Sequence, residues 1–258
     1  MTEDAATSYT AAELLTIHAA RALANGQVVF AGVGIPLLAA TLAQMTHAPT
    51  LTILFEGGII GPTIEPGRLP PTTNEQRAAR RANMLLPITD VLLLLQRGYV
   101  DYGFMGGAQI DQYGNLNSSF IGDPARPTVR LPGTGGGNDI ASLAKMLVAM
   151  KHEKRRFVER VDFVSSPGYL AGGDARARSG LITGGMLRVI TDLCLLGFDP
   201  ESRRMRLEAL HPGVTPEAVQ AETGFPLLVA PRLERTEPPT AAELAALRRL
   251  DPEKVFTA

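Results

Sequence analysis

Short apolar segments alternate with helical segments through the first 165 residues of this chain, and glycine-rich turns separate them. Gln27–Ala31 and Leu51–Phe55 have the length and composition of buried strands. After the first of them, Gly32–Pro36 turns into a helical segment, Leu37–Met45. Such alternation is typical of parallel strands joined by crossover helices. The pattern predicts an α/β fold with an open, mostly parallel sheet and helices on both faces.

Helix starts are marked twice by a threonine that is followed three residues later by a glutamate, the capping-box signal. Thr10–Glu13 predicts a helix that runs to Asn25-Gly26, and Thr240–Glu243 predicts the C-terminal helix. Other elements are predicted from apolar runs, boundary glycines and a proline at a first helical position. They are helices at Ile88–Arg97, Ile140–Met150 and after Thr215-Pro216, and strands at Tyr102–Met105, Val161–Ser165, Val189–Leu193 and Arg206–Leu210.

Domain organisation is predicted to be simple. Residues 1–258 contain no internal repeat and no low-complexity linker, and 45% of the chain is hydrophobic, which suffices for one core. We therefore expect a single domain. Pro231–Pro239 predicts an exposed connector, so that the connector and the C-terminal helix extend from about residue 231.

Charge and cysteine content exclude several classes of function. Lys and Arg number 25 against 26 Asp and Glu, so no net charge favours nucleic acid or an anionic membrane surface. No apolar run reaches the length of a membrane span, and the N-terminus is polar and acidic, which predicts a cytoplasmic protein. The single cysteine, Cys194, excludes an internal disulfide framework and predicts a buried, inert thiol.

Glycine-rich turns follow three of the predicted strands, where ligands collect in open α/β sheets. They are Gly32–Pro36, Glu56–Gly61 and Gly106–Ala108; a fourth cluster, Gly133–Asn138, leads into a helix. The first lacks the third glycine of a dinucleotide fingerprint, which favours a plain strand-to-helix turn. The fourth fits either an oxyanion cradle of backbone amides or a surface loop.

Glu56 is the sharpest single feature, because it directly follows an apolar strand and precedes two glycines. A carboxylate at that place is costly if it is buried without a partner. It could act as a nucleophile through a covalent acyl intermediate, or it could pair with an arginine at the strand end. Arg68, Arg77, Arg80 and Arg81 flank the following loop; one could hold a distal carboxylate, although a solvated face is favoured.

Other catalytic chemistries find no support in the sequence. The histidines share no metal-ligand spacing, so no metal site is predicted. No Gly-x-Ser-x-Gly elbow indicates a serine hydrolase, and no Gly-Lys-Ser/Thr indicates a Walker loop.

An ordered set of segments resembles the class I CoA-transferases, and among them the β subunits of 3-oxoadipate and glutaconate CoA-transferases. The resemblance extends from the first helix to about Ala230. Its segments, in the family's order, are Gly32–Pro36, Phe55–Gly61, Gly106–Asp111, Tyr113–Ser118, Arg130–Gly136 and Leu210–Thr215.

This resemblance implies a CoA-transferase (NagB/RpiA-like) fold and an active site shared with an α subunit, in a heterodimer or heterotetramer. It implies that Glu56 attacks an acyl-CoA and that CoA then passes to a carboxylic acid, with dicarboxylic and 3-oxo acids among the candidates, through a glutamyl-CoA thioester. CoA esters are then substrates, and no permanently bound cofactor, nucleic acid or membrane is expected.

The resemblance also assigns the surrounding residues. Backbone amides of Gly135 and Gly136 are expected to stabilise the oxyanions. Further residues are expected to contact substrate or CoA: Gly32, Gly34, Gly57, Gly58, Gly106, Gly107, Ala108, Gln109, Asn117, Gly137 and Asn138.

Two departures from the family and two alternative functions remain. The family's Glu-Ser-Gly is Glu56-Gly57-Gly58 here, and the glycine cluster ends in Gly137-Asn138, where relatives vary. The scaffold also hosts hydrolysis and decarboxylation of CoA esters, in relatives where the glutamate tends to be replaced. A non-catalytic binding module is the other alternative, and an intact Glu56 argues against it.

Overall fold

Reciprocal caps start the first described helix and the last. The computed structural model describes residues 8–257. Thr10 Oγ1 accepts a hydrogen bond from Glu13 N (3.1 Å), and Glu13 Oε2 accepts one from Thr10 N (2.9 Å). Thr240 and Glu243 are joined in the same way. Both predicted capping boxes are therefore confirmed.

The secondary structure follows in chain order. The helices are α1 (Ala11–Arg21), α2 (Ile35–Met45), α3 (Ile88–Gln96), α4 (Gly137–Leu143), α5 (Ala175–Arg178), α6 (Pro216–Ala221) and α7 (Ala241–Leu250). The strands are β1 (Val28–Ala31), β2 (Thr52–Leu54), β3 (Ile59–Ile60), β4 (Met84–Leu85), β5 (Tyr102–Met105), β6 (Gln109–Ile110), β7 (Leu116–Asn117), β8 (Phe120–Asp123), β9 (Arg126–Arg130), β10 (Lys145–Ala149), β11 (Gly185–Ile190), β12 (Cys194–Phe198), β13 (Met205–Leu210) and β14 (Leu228–Arg235).

One compact unit combines residues 8–106 with residues 237–257. Its strands lie in the order β5-β1-β2-β3-β4. β1 is parallel to both β5 and β2, whereas β2, β3 and β4 pair antiparallel. The central strands bury Val29, Phe30, Ile53 and Leu54 almost completely. Apolar strands of this kind explain why short runs without alternation still form a sheet.

Helix α7 belongs to this unit although it lies near the end of the chain. It packs against α1 and α2. Ion pairs fasten it in both directions: Arg248 Nε lies 2.7 Å from Glu13 Oε1, and Arg21 Nη2 lies 2.7 Å from Glu243 Oε2. The unit is thus completed by a helix that follows more than half of the sequence.

The other compact unit consists of residues 107–236. Its strands lie in the order β14-β13-β12-β11-β10, with parallel pairing at β13–β14 and β10–β11 and antiparallel pairing between. Two small antiparallel sheets, β6–β7 and β8–β9, precede them. The single-domain organisation of residues 1–258 stays a prediction. Across residues 8–257, no helix has both the length and the apolar character that crossing a bilayer requires.

The predicted helix Ile140–Met150 is wrong. The chain forms the short helix α4 and then β10, which pairs in parallel with β11. Met146 to Ala149 are all buried, and a strand buried on both faces has a continuous apolar run that periodicity cannot distinguish from a helix.

Three further boundaries differ from the prediction. Val161–Ser165 forms a loop rather than a strand, and Ser165 N donates to Leu116 O (2.8 Å). The predicted strand Val189–Leu193 is divided between β11 and a turn before β12, because Thr191 Oγ1 accepts the amide of Cys194 (3.0 Å). The predicted connector is shortened, since β14 pairs with β13 and occupies its first residues.

A buried histidine lies at the centre of the second unit. His152 Nδ1 and Nε2 lie 3.1 Å from Thr191 Oγ1 and 3.0 Å from Thr223 Oγ1. The ring stacks on Phe157 with centroids 4.0 Å apart. Burial lowers the pKa of His152 to about 4 and raises the pKa of the neighbouring Cys194 thiol to about 12. The prediction of a buried, inert Cys194 is therefore confirmed.

We expect His152 to make folding stability depend on pH. Its folded pKa lies below the unfolded value, so the unfolded chain binds more protons between them, and stability is complete above about pH 6.5 and falls toward pH 4. The free energy of unfolding should drop by about 2 kcal/mol between pH 7 and pH 5 from this group alone. Urea unfolding of wild type and His152→Gln measures it. An equal drop in both proteins contradicts the assignment.

Candidate active site

Predicted site residues of the first unit gather at one edge of its sheet. Gly32 follows β1, Glu56 follows β2 and Gly106 ends β5. Because β1 lies between β2 and β5 and runs parallel to both, these three positions share the carboxyl edge. Gly32 N donates to Phe104 O (2.9 Å), and Gly34 caps α2 with a φ of 90°. This is the edge at which open α/β sheets bind ligands.

Glu56 stands at the tip of the tight hairpin between β2 and β3. Phe55 N donates to Ile59 O (2.8 Å), and Gly58 N donates to Phe55 O (3.0 Å). Phe55 is fully buried, whereas Glu56 is half-buried. The hairpin therefore anchors the backbone on one side of the glutamate and leaves its side chain partly accessible.

The two glycines after Glu56 are explained by what packs on them. Gly58 has a φ of 95°, and a Cβ there would overlap the carbonyl oxygen of Leu86, whose amide donates to Gly58 O (2.9 Å). A Cβ on Gly57 would overlap Oδ1 of Asn74 and lie 3.2 Å from its Cγ. Glycine in place of serine after Glu56 thus leaves space for the Asn74 side chain.

We expect Gly58→Ala to destabilise the protein by about 2 kcal/mol or more, since it adds backbone overlap to the strain of a positive φ. Gly98→Ala is the matched control, because Gly98 has a φ of 78° and no atom within 4 Å of an added Cβ. The control should lose only about 1 kcal/mol. Urea unfolding compares the two variants, and equal losses would show that Leu86 yields freely.

Gln109 and Asn117 hold the β6–β7 hairpin together. Gln109 Oε1 accepts hydrogen bonds from Asn117 Nδ2 (2.8 Å) and from Asp162 N (3.1 Å), and Gln109 Nε2 donates to Asp162 Oδ2 (3.1 Å). Asn117 Nδ2 also donates to Phe120 O (2.7 Å). Both amides are buried. Their expected contact with substrate stays a prediction, and the contacts in the structure are those of a scaffold.

Gly107 and Ala108 lead into the same hairpin. Ala108 N donates to Asn117 O (3.0 Å), and Gly107 O accepts a hydrogen bond from Arg156 Nη1 (3.3 Å). An added Cβ on Gly107 would lie 3.1 Å from Leu116 Cδ2. Close packing against β7 is therefore one reason for glycine here.

The glycine cluster forms a turn that ends in α4. Gly133 and Gly135 have φ of 102° and 51°, and Gly136 is the N-cap. Gly135 is exposed, while Gly136 and Gly137 are buried. Gly137 N already donates to Thr134 O (2.9 Å), which directs this amide into the turn. Gly135 and Gly136 stay the predicted oxyanion donors, and the exposed Asn138 reaches Ser165 O with its amide nitrogen (3.4 Å).

Serine hydroxyls tie this turn to the segment after β7. Ser119 Oγ lies 2.7 Å from Ser165 Oγ and 3.5 Å from Thr134 Oγ1. Ser165 Oγ also accepts Ser118 N (2.9 Å), and Ser118 O accepts Gly133 N (2.9 Å). The structure therefore brings the glycine cluster next to Asn117, within one unit.

Arg176 is a buried residue that fixes the far end of α4. Its guanidinium donates to the carbonyl oxygens of Ala141 (2.8 Å) and Ser142 (3.0 Å) in the last turn of α4. It also donates to Pro167 O (3.1 Å), Gly168 O (2.9 Å) and Thr183 O (2.8 Å). Burial lowers the pKa of Arg176. Sequence reasoning missed it, because the Ala175–Arg178 segment, Ala-Arg-Ala-Arg, gives no sign that its first arginine is buried and its second exposed.

Comparison with known proteins gives independent information on the whole chain. A model of the family described as Coenzyme A transferase matches residues 13–222. The β subunit of the 3-oxoadipate CoA-transferase of Pseudomonas knackmussii is 40% identical over 95% of this chain and 94% of its own length. The β subunit of the glutaconate CoA-transferase of Acidaminococcus fermentans is 36% identical over 97% of this chain and 96% of its own.

Solved structures agree with the sequence matches. The crystal structure of glutaconate coenzyme A-transferase from Acidaminococcus fermentans superposes with a TM-score of 0.90 at 35% identity, covering 98% of both chains. That of the decarboxylase AibA/AibB gives a TM-score of 0.81 at 26% identity, covering 96% of this chain and 98% of the other. The predicted α/β, mostly parallel open-sheet class is confirmed by the first of these.

Proposed function

The chain belongs to the Coenzyme A transferase family, and from this premise we propose that it is the subunit of a two-subunit CoA-transferase that carries the nucleophile, Glu56. The observation that carries the proposal is the position of Glu56, half-buried at the tip of the β2–β3 hairpin and at the ligand-binding edge of the sheet. A partner α subunit supplies the rest of the active site. CoA thioesters are substrates of such enzymes.

The first half-reaction moves CoA onto the enzyme. The Glu56 carboxylate attacks the thioester carbonyl, and the carbon–sulfur bond breaks to release CoA thiolate and leave an acyl-glutamyl anhydride. The thiolate then attacks the glutamyl carbonyl of the anhydride. The first carboxylate leaves, and Glu56 is held as a glutamyl-CoA thioester.

The second half-reaction reverses these steps with another acid. The acceptor carboxylate attacks the glutamyl-CoA carbonyl and expels CoA thiolate, which then attacks the acceptor's acyl carbonyl in the new anhydride. Glu56 leaves as a free carboxylate, and the acceptor departs as its CoA ester. The thioester bond is conserved throughout, so the scheme uses no ATP and no permanently bound cofactor. We assign the backbone amides of Gly135 and Gly136 to the oxyanions of these steps.

The substrate class follows from the relatives. Oxoadipate and glutaconate, which give the matched enzymes their names, are dicarboxylic acids. We therefore propose a dicarboxylic or 3-oxo acid as one of the two acids exchanged. A cytoplasmic location, as predicted from the sequence, is kept as part of this proposal.

A hydrolase or decarboxylase acting on CoA esters is the second candidate function. The fold likeness to the decarboxylase AibA/AibB favours it. The presence of Glu56 in a hairpin that continues with two closely packed glycines favours transfer. The two functions differ in what happens to CoA: transfer needs an acceptor acid, whereas hydrolysis releases free thiol without one.

We expect the chain alone to lack transferase activity and the pair with its α subunit to have it. The assay mixes acyl-CoA with a second acid and follows both the new CoA ester and free thiol. Formation of the new ester only by the pair supports the proposal. Equal turnover by the chain alone contradicts the shared site, and free thiol at a rate indifferent to added acid identifies a hydrolase.

A further inference from the structure

An arginine-lined cavity lies in the loop that follows the Glu56 hairpin. It encloses about 320 Å³, and Arg68, Arg77, Arg80, Gln76 and Glu65 are among its lining residues. Here it is called the arginine cavity. It belongs to the same unit as Glu56, and nothing in the proposed reaction uses it.

The loop that forms the cavity begins close to the nucleophile. Thr63 N donates to Arg80 O (3.1 Å), which closes the loop across its base. The chain from Glu56 to Thr63 can span at most about 25 Å when fully extended. The cavity is therefore within reach of one long ligand that also contacts Glu56.

Positive charge exceeds negative charge along the cavity. Glu65 serves two arginines, with Oε1 2.7 Å from Arg80 Nη2 and Oε2 3.8 Å from Arg68 Nη1. Arg77 pairs with Glu75. The side chains of Arg68, Arg77 and Arg80 are 71%, 63% and 50% exposed, so their donors are accessible to an anion.

The surfaces beside the cavity extend this charge on one side. The adjoining groove is lined by Arg249 together with Arg68 and Arg80. The next groove contains Glu253 and Asp251, and the Asp251 carboxylate already accepts hydrogen bonds from residues 255–257. An anion near Arg80 and Arg249 therefore meets arginines that share one carboxylate, Glu65.

Backbone hydrogen bonds hold the arginines on a fixed frame. Arg68 N donates to Glu65 O (3.0 Å), Gly67 N donates to Leu250 O in α7 (3.0 Å), and Arg80 N donates to Arg77 O (3.3 Å). Fixed guanidinium groups match the oxygens of a phosphate in pairs and lose little freedom on binding. The cavity thus has the properties of a phosphate site.

We propose that the arginine cavity binds the phosphate groups at the nucleotide end of acyl-CoA. This inference rests on the proposed function, since it names where the CoA substrate is held. CoA carries its thioester at one end of a long arm and a diphosphate and a 3′-phosphate at the other, so one molecule can contact both Glu56 and the arginines. Binding energy from this remote end can then be used at the reacting carbonyl.

The test measures direct binding of adenosine 3′,5′-bisphosphate to the αβ pair by calorimetry. Arg77→Gln and Arg80→Gln should each weaken binding by about tenfold, the loss expected for one charge-assisted contact. Arg155→Gln is the matched control, because Arg155 is 75% exposed and also pairs with a glutamate, Glu153. The control should bind the bisphosphate like wild type.

A second arm titrates glutarate, a dicarboxylate without phosphate. Unchanged glutarate affinity in Arg77→Gln and Arg80→Gln supports a phosphate site, whereas loss of glutarate binding alone assigns the arginines to the acid and overturns the inference. Bisphosphate affinities equal to the control, or no bisphosphate binding by wild type, also overturn it. Because binding needs no turnover, Glu56→Gln should retain it, so failure of the inference is distinguishable from failure of the proposed reaction.

Discussion

Glu56→Gln is expected to lower the rate of CoA transfer by about 10⁴-fold or more while the protein stays folded. The amide has nearly the shape of the carboxylate but lacks its charge and most of its nucleophilicity, and loss of a covalent nucleophile has effects of that order. Glu56→Asp keeps the charge and withdraws the carboxylate by about an ångström, which can cost on the order of a hundredfold.

The covalent intermediate is the direct measurement. Incubation of the αβ pair with acyl-CoA, without acceptor acid, should leave CoA attached to the peptide that contains Glu56, as mass spectrometry would detect. Borohydride should reduce that thioester to an alcohol, and hydroxylamine should release the CoA. No adduct, together with CoA release that ignores added acid, would make the chain a hydrolase subunit.

Arg176→Met is expected to destabilise the second unit by roughly 3–5 kcal/mol, a large share of the stability of an ordinary domain. Arg176 is 5% exposed, and its loss leaves several carbonyl oxygens near α4 without donors. Arg176→Lys keeps the charge but only part of the fork of donors, so it should fall between wild type and Met.

Arg178→Met serves as the control for Arg176, since it lies on the same helix, is 73% exposed and pairs only with Asp174 among the residues described. It should change the free energy of unfolding by less than about 1 kcal/mol. Denaturant unfolding compares these variants. If Arg176→Met and Arg178→Met lose equal stability, the hydrogen bonds to α4 contribute little.

Elements with local signals were predictable from the sequence. The two threonine caps fix helix starts through contacts only three residues apart, and the apolar strands before Gly32 and Glu56 end where glycine ends them. Such features depend on neighbours in the chain. Their positions at one sheet edge then follow from parallel pairing.

Elements that depend on distant partners were not predictable. Lys145–Ala149 is a strand because β11, some forty residues later, pairs with it. The role of Gly57 depends on Asn74, and the burial of Arg176 depends on carbonyl groups from three separate segments. Gln109 and Asn117 resemble substrate-binding amides in sequence, but their partners inside the hairpin become visible only in three dimensions.

The ion pairs that join α7 to α1 have a consequence for biosynthesis. Glu13 and Arg21 emerge from the ribosome early, yet Arg248 and Glu243 arrive only after residues 107–236 have been translated. Domains generally form in the order of synthesis. Here the inserted unit can finish first, while the unit with Glu56 waits for the last helix. A nascent chain therefore carries its nucleophile on an incomplete scaffold until translation is almost over.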